Sequence, residues 1–154
     1  MCQSGKMTPE VKERFKAGIK YLVTEKQVCA ITGDCGFMMY FQSFARSLTN
    51  VPVFLSSLAI LPAIRCAYDL KCHQIAIFTA NKKTLMPMEA LIEQICNVQF
   101  WDATFVFIDC KDVPGFEAVE RGEKVDVQAV EPGMVELAKA VVRNHPKVAA
   151  ILFE

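Results

Sequence analysis

Apolar positions recur along the chain in two alternating rhythms, one of helical period and one of short continuous runs. Thr8-Pro9-Glu10 opens the first helix with a capping hydroxyl, a proline at the first helical position and an acid in the first turn. Val11, Phe15, Ile19 and Leu22 then fall on one face, and Lys12, Lys16 and Lys20 on another. Residues 28–32 form an apolar run of strand length, broken by Gly33-Asp34-Cys35-Gly36. Phe37, Phe41, Phe44 and Leu48 resume helical spacing. The cycle repeats with a strand at 51–55, Ser56-Ser57 and a helix over 58–70. It repeats again with a strand at 74–79, Ala80-Asn81 and a helix over 84–96. A strand at 103–108 follows. Between 113 and 130 the pattern weakens, with Pro114-Gly115 and Gly122 as breaks. Pro132-Gly133 is expected to open a helix reaching Asn144, and 148–153 reads as the last strand.

Strands alternating with helices predict an α/β fold, with parallel sheets flanked by helices. The strands are continuous apolar runs, as expected where both sheet faces are covered. Polar residues at Lys71-Cys72-His73 mark a mild division. This predicts a first lobe over 1–71 that carries the Cys35 turn and a second α/β lobe over 72–154. No linker, low-complexity segment or residue-level repeat stands out.

Composition narrows the function classes. Apolar residues make up 53% of the 154 residues, enough for a sizeable core, and 17 basic residues balance 17 acidic ones. Zero net charge gives no footprint for nucleic acid. The apolar runs are broken by Pro52, Pro62 and Arg65 before they reach membrane-spanning length. The polar first sixteen residues do not read as a secretory signal, so a cytoplasmic location is the default expectation. Seven cysteines without regular spacing do not form a disulfide framework, and no CxxC pair occurs. With His73 and His145 the only histidines, no metal site is expected. Cys72-His73 reads as a buried cysteine beside a surface histidine at a strand start.

Ligands of open α/β sheets bind beyond the carboxyl ends of strands. Three such ends carry small polar groups: Gly33-Asp34-Cys35-Gly36, Ser56-Ser57 and Thr79-Ala80-Asn81. Helix capping explains Ser56, Ser57, Thr79, Asn81 and Thr84 at least as well as ligand contact. Cys35 is different, because a thiol caps poorly. At a helix start it would meet the positive end of the dipole, which favours thiolate, while Asp34 beside it works the other way. Gly33 and Gly36 would let a ligand approach the backbone closely. The other six cysteines lie mostly within apolar patterns and read as small core residues.

Ile31-Thr32-Gly33-Asp34-Cys35-Gly36-Phe37, Phe41-Gln42 and the segment from Val51 through Ser56-Ser57-Leu58 together resemble the aspartate/glutamate/hydantoin racemase superfamily. The resemblance is closest to a branch with a GDCGF turn followed by PVFLSSL, and Ile77-Phe78-Thr79-Ala80-Asn81 adds to it. It runs from about Val11 to Glu154 and implies two pseudo-symmetric lobes facing a cleft, with one cysteine from each side. Cys35 matches the first of these. The second is expected after a strand such as 148–153, so by this resemblance the chain reads as truncated at both ends.

The implied activity is cofactor-independent racemisation of an amino acid. Cys35 is the acid/base thiol at the α-carbon, and Asp34, Gly36, Phe37, Ser56, Ser57, Thr79 and Asn81 bind the substrate. One cysteine can deprotonate but cannot invert, and Glu154 stands where the opposing thiol should follow, its carboxylate repelling an anionic substrate. Racemisation by this chain alone is therefore not expected. Two alternatives stay open: a one-cysteine decarboxylase or proton-exchange enzyme, and a non-catalytic domain that binds a small carboxylate. A homodimer is compatible with each.

Overall fold

The computed structural model describes residues 5–100 and 102–154. It is an α/β structure with two small parallel sheets and flanking helices. The first sheet pairs β1 (Ile31–Thr32) with β2 (Val53–Phe54). The second has the order β4-β3-β5, with β3 (Gln74–Thr79) between β4 (Phe105–Asp109) and β5 (Val148–Phe153). The helices are α1 (Pro9–Lys20), α2 (Gln42–Ser47), α3 (Leu61–Ala67), α4 (Lys82–Leu85), α5 (Glu89–Cys96), α6 (Glu117–Arg121) and α7 (Val127–Asn144).

Thr8 caps α1, its hydroxyl accepting from the Val11 N–H at 3.3 Å, and Pro9 occupies the first turn. Several helices expected as single pieces begin as 3-10 turns: Gly36–Phe41 before α2, Ser57–Ile60 before α3 and Met86–Met88 between α4 and α5. The first two lie where a strand-to-helix turn brings its first residues tight against the sheet, and the third joins two short helices at Pro87. Beyond Pro114 the expected order fails, because α7 starts at Val127 and runs through Pro132. Asp126 sets that start, its carboxylate accepting from Gln128 N–H (3.1 Å) and Ala129 N–H (3.4 Å). This cap outweighs the single backbone bond that Pro132 forgoes.

The two faces of β3 anchor two apolar layers. Ile75 and Ile77 pack with Leu85, Met88 and Ile92 on one side. Phe37, Met39, Leu58 and Leu61 join the same cluster, which therefore ties the second sheet to the segments that follow β1 and β2. On the other side, Ala76 and Phe78 meet Val113 and, from α7, Val130 and Val141. A third cluster closes α1 over the first sheet through Ile19, Ile31, Phe41 and Val53. Gln42, the first residue of α2, is buried against the first sheet. Its side-chain amide donates to Val53 O at 2.7 Å and accepts from Leu55 N–H at 2.9 Å, so it acts as a bridge where β2 turns away.

Among the described residues, no helix is long and apolar enough to cross a membrane.

Candidate functional site

The order β4-β3-β5 puts the connection from β3 to β4 on one side of β3 and the return through α7 to β5 on the other. Such a reversal opens a crevice outside the carboxyl end of the central strand. The end of β3 is Thr79, which is fully buried and whose hydroxyl has no hydrogen-bond partner. Asp109 lies opposite it on β4. On the other side the Glu154 N–H donates to Phe78 O at 3.0 Å, which extends the β5 ladder and fixes Glu154 beside Thr79.

The Cys35 turn meets this edge directly. Cys35 is half-buried at the start of the 3-10 turn Gly36–Phe41, its carbonyl accepting from the Met38 N–H at 3.0 Å. A Cβ built on Gly36 would collide with the Glu154 carboxylate. The bare glycine thus makes the space that Glu154 fills, and the carboxyl ends of the two sheets converge at this contact. Both Glu154 oxygens are shielded from solvent and close no hydrogen bond of good geometry. Burial pushes the carboxyl group up from its ordinary range, and the nearby Thr79 hydroxyl and Gly36 N–H only partly oppose that rise. Among the described residues, no lysine or arginine forms an ion pair with it.

The remaining candidate residues divide by what their side chains already do. Ser56 caps the next 3-10 turn, accepting from the Leu58 N–H at 3.1 Å, and Asn81 caps α4, accepting from Lys83 and Thr84 N–H. Ser57 keeps a buried, unpartnered hydroxyl, on a turn that packs against both β5 and the Gly36–Phe41 turn. Asp34 is exposed, while the Phe37 ring is committed to the core. Gly36, Thr79 and Glu154 are therefore brought together one residue from Cys35.

The cysteine reading needs correction. Among the described residues, Cys96 and Cys110 are the only buried cysteines. Cys29, Cys66 and Cys72 are exposed because they sit in a loop, on an outer helix face and in a turn, and Cys2 lies outside the described residues. Burial pushes the Cys96 thiol up to about 11. Burial, helped by Asp109 and Glu154, pushes Cys110 up to about 12. Cys72 and His73 instead organise a turn around Asp69, with His73 Nδ1 3.1 Å from Asp69 O. Among the described residues, no cluster of His, Cys, Asp or Glu could hold a metal ion. A cleft of about 480 Å³ lined by Arg65, Tyr68, Lys71 and Thr104 opens at the amino ends of β3 and β4, the opposite edge from Cys35.

Over its whole length the chain is 52% identical to dimethylsulfoniopropionate lyase 6 of Emiliania huxleyi, of which it covers 41%. It is 51% identical to lyase 3 of the same organism and 47% identical to the dimethylsulfoniopropionate lyase of Durusdinium sp. clade D, covering 41% and 51% of them. The chain spans about half the length of these relatives. No family model and no solved structure matches it. These names overturn the racemase and isomerase expectation, because relatives at about half identity are named for a lyase reaction. The GDCGF and PVFLSSL segments were read as marks of inversion chemistry. They describe a strand-turn-helix scaffold that does not specify whether a deprotonated carbon is reprotonated or expels a group. Glu154, expected where an opposing thiol should follow, instead packs its carboxylate against Gly36. The signal for that contact was present in Gly36, whose missing side chain makes room for it.

Proposed function

We propose that this chain takes part in the cleavage of dimethylsulfoniopropionate, with Cys35 as the base of a β-elimination. The substrate, as its name states, is a propionate bearing a dimethylsulfonium group. The Cys35 thiolate takes a proton from the carbon next to the carboxylate. The C–H electron pair becomes the carbon–carbon double bond, and the C–S pair leaves with sulfur as neutral dimethyl sulfide. Acrylate remains, and the thiol later returns its proton to water. Elimination removes one proton and returns none to the opposite face, so one base is enough, which is where it parts from racemisation. Negative charge develops on the substrate carboxylate during proton removal. The unpartnered Ser57 hydroxyl and the Phe37 N–H are the donors available to meet it, since the Thr79 hydroxyl and the Gly36 N–H already face Glu154. Ser56 and Asn81 act behind them as caps, and the two sheets serve as lobes on either side of the crevice.

The observation that carries this reading is the convergence of the Cys35 turn on the end of β3 and on Glu154, in a chain about half identical to named lyases. Headspace gas chromatography of the purified protein with dimethylsulfoniopropionate tests it. Dimethyl sulfide should be released, and Cys35→Ser should lower the rate by at least about a hundredfold while the fold is kept. Absence of release from the folded wild-type protein, or full activity in Cys35→Ser, refutes the proposal.

A further inference from the structure

We infer that Glu154 is the recognition group for the positively charged sulfonium end of the substrate, and so selects a cationic sulfur over a neutral one. The inference rests on the lyase reading of the site but adds a residue and a selectivity that the reading does not require.

A buried carboxylate is ordinarily paired or well hydrogen-bonded, because an uncompensated charge in a poorly solvated place is costly. Glu154 has no cationic partner among the described residues, and the groups beside it carry no positive charge. They are the Gly36 backbone, the Thr79 hydroxyl and the Cys110 thiol. A cationic ligand would complete the site. A sulfonium has no N–H or O–H to donate, so it needs a negative charge at close range rather than aligned acceptors. A buried carboxylate without a cationic partner meets that need.

The spacing agrees with the chemistry. In the substrate, a single carbon separates the sulfur from the carbon that loses its proton. The group attracting the sulfonium must therefore stand close to the base. Glu154 lies against Gly36, the residue immediately after Cys35. The sulfonium loses its charge as dimethyl sulfide departs, so the attraction is stronger in the bound substrate than in the transition state. Its loss should appear mainly in KM.

Binding is measured by calorimetry, on the full protein, for dimethylsulfoniopropionate and for 3-(methylthio)propionate, which has the same carbon chain and an uncharged sulfur. Wild type should bind the sulfonium at least about tenfold more tightly. Glu154→Gln, similar in shape but uncharged, should bring the two affinities within about twofold of each other and raise KM for dimethylsulfoniopropionate about tenfold. Glu154→Asp should restore part of the preference. Thermal melts identify any variant that fails to fold, and equal wild-type affinities for the two compounds overturn the inference without variants. If wild type binds both compounds equally yet releases dimethyl sulfide, the inference fails and the lyase reading stands. If it prefers the sulfonium but releases nothing, the lyase reading fails and the recognition role survives. A preference that persists in Glu154→Gln overturns the inference and points to a neutral hydrogen-bonding role for the carboxyl group.

Discussion

Two glycines flank Cys35, and the structure assigns them opposite sensitivities to the same substitution. A Cβ on Gly33 would lie 2.5 Å from Leu55 O and 3.2 Å from the carbonyl carbon, both backbone atoms of the neighbouring segment. The same residue donates its N–H to Phe54 O at 2.7 Å, so the two segments cannot separate without losing a bond that extends the first sheet. Overpacking of this kind costs about 1–3 kcal/mol, and a rigid neighbour places it at the upper end. At about 2–4 °C per kcal/mol for a chain of this size, Gly33→Ala should lower Tm by roughly 6 °C or more. A Cβ on Gly36 meets the far end of the Glu154 side chain, which can swing away. Gly36→Ala should therefore lose less than about 1 kcal/mol of stability. It should nevertheless displace the carboxylate and weaken sulfonium binding much as Glu154→Gln does. Differential scanning calorimetry reads the first effect and ligand titration the second. Equal losses of Tm in the two variants, or a Gly33→Ala protein that melts like wild type, would refute this account of the turn.

Gln42→Leu leaves Val53 O and Leu55 N–H buried without partners, and at about 1–3 kcal/mol for each orphaned group it should shift the urea midpoint by an amount worth about 3 kcal/mol; a change below about 1 kcal/mol would show that water takes over the bridge. Alkaline pH should destabilise the fold, because Cys96 and Cys110 hold their protons up to about 11 and 12, against 9.0 for an ordinary thiol. The unfolded chain binds fewer protons between those values, so stability is complete below about pH 9 and falls as pH rises through the folded-state values. Urea titrations from pH 8 to 11 should show the loss. Cys96→Ala should flatten it, and an unchanged slope in that variant would exclude Cys96 as a source.

The second sheet was the most legible part of the sequence. The run at 74–79 coincides with β3 at both ends, because Ile75 to Phe78 is apolar on both faces and helices cover both. The first sheet was legible as an alternation but not in extent. Only two rungs form, between β1 and β2, while the flanking apolar residues serve α1 and the Gln42 bridge. Pro132-Gly133 misled because a proline marks a helix start only where no stronger cap lies upstream, and Asp126 is that cap. The turn that holds Cys35 was legible as a break after a strand. The residue that its Gly36 meets was not, because the contact between Gly36 and Glu154 is set by how the two sheets come together, and no local pattern in either segment encodes that distance.

The contact between Gly36 and Glu154 joins the first strand-turn unit to the end of the last strand, so its formation closes one of the longest loops in the chain. Bringing distant segments together costs chain entropy, and parallel pairing rewards it only after the intervening elements have condensed. β5 must dock on β3 before Glu154 can reach Gly36. The constellation around Cys35 is thus complete only once β5 has joined β3. During synthesis on the ribosome, the Cys35 turn emerges before β5 and is without its acidic neighbour until that strand follows. Recognition of a charged substrate would then switch on only once the strand that carries Glu154 has left the exit tunnel and joined the sheet.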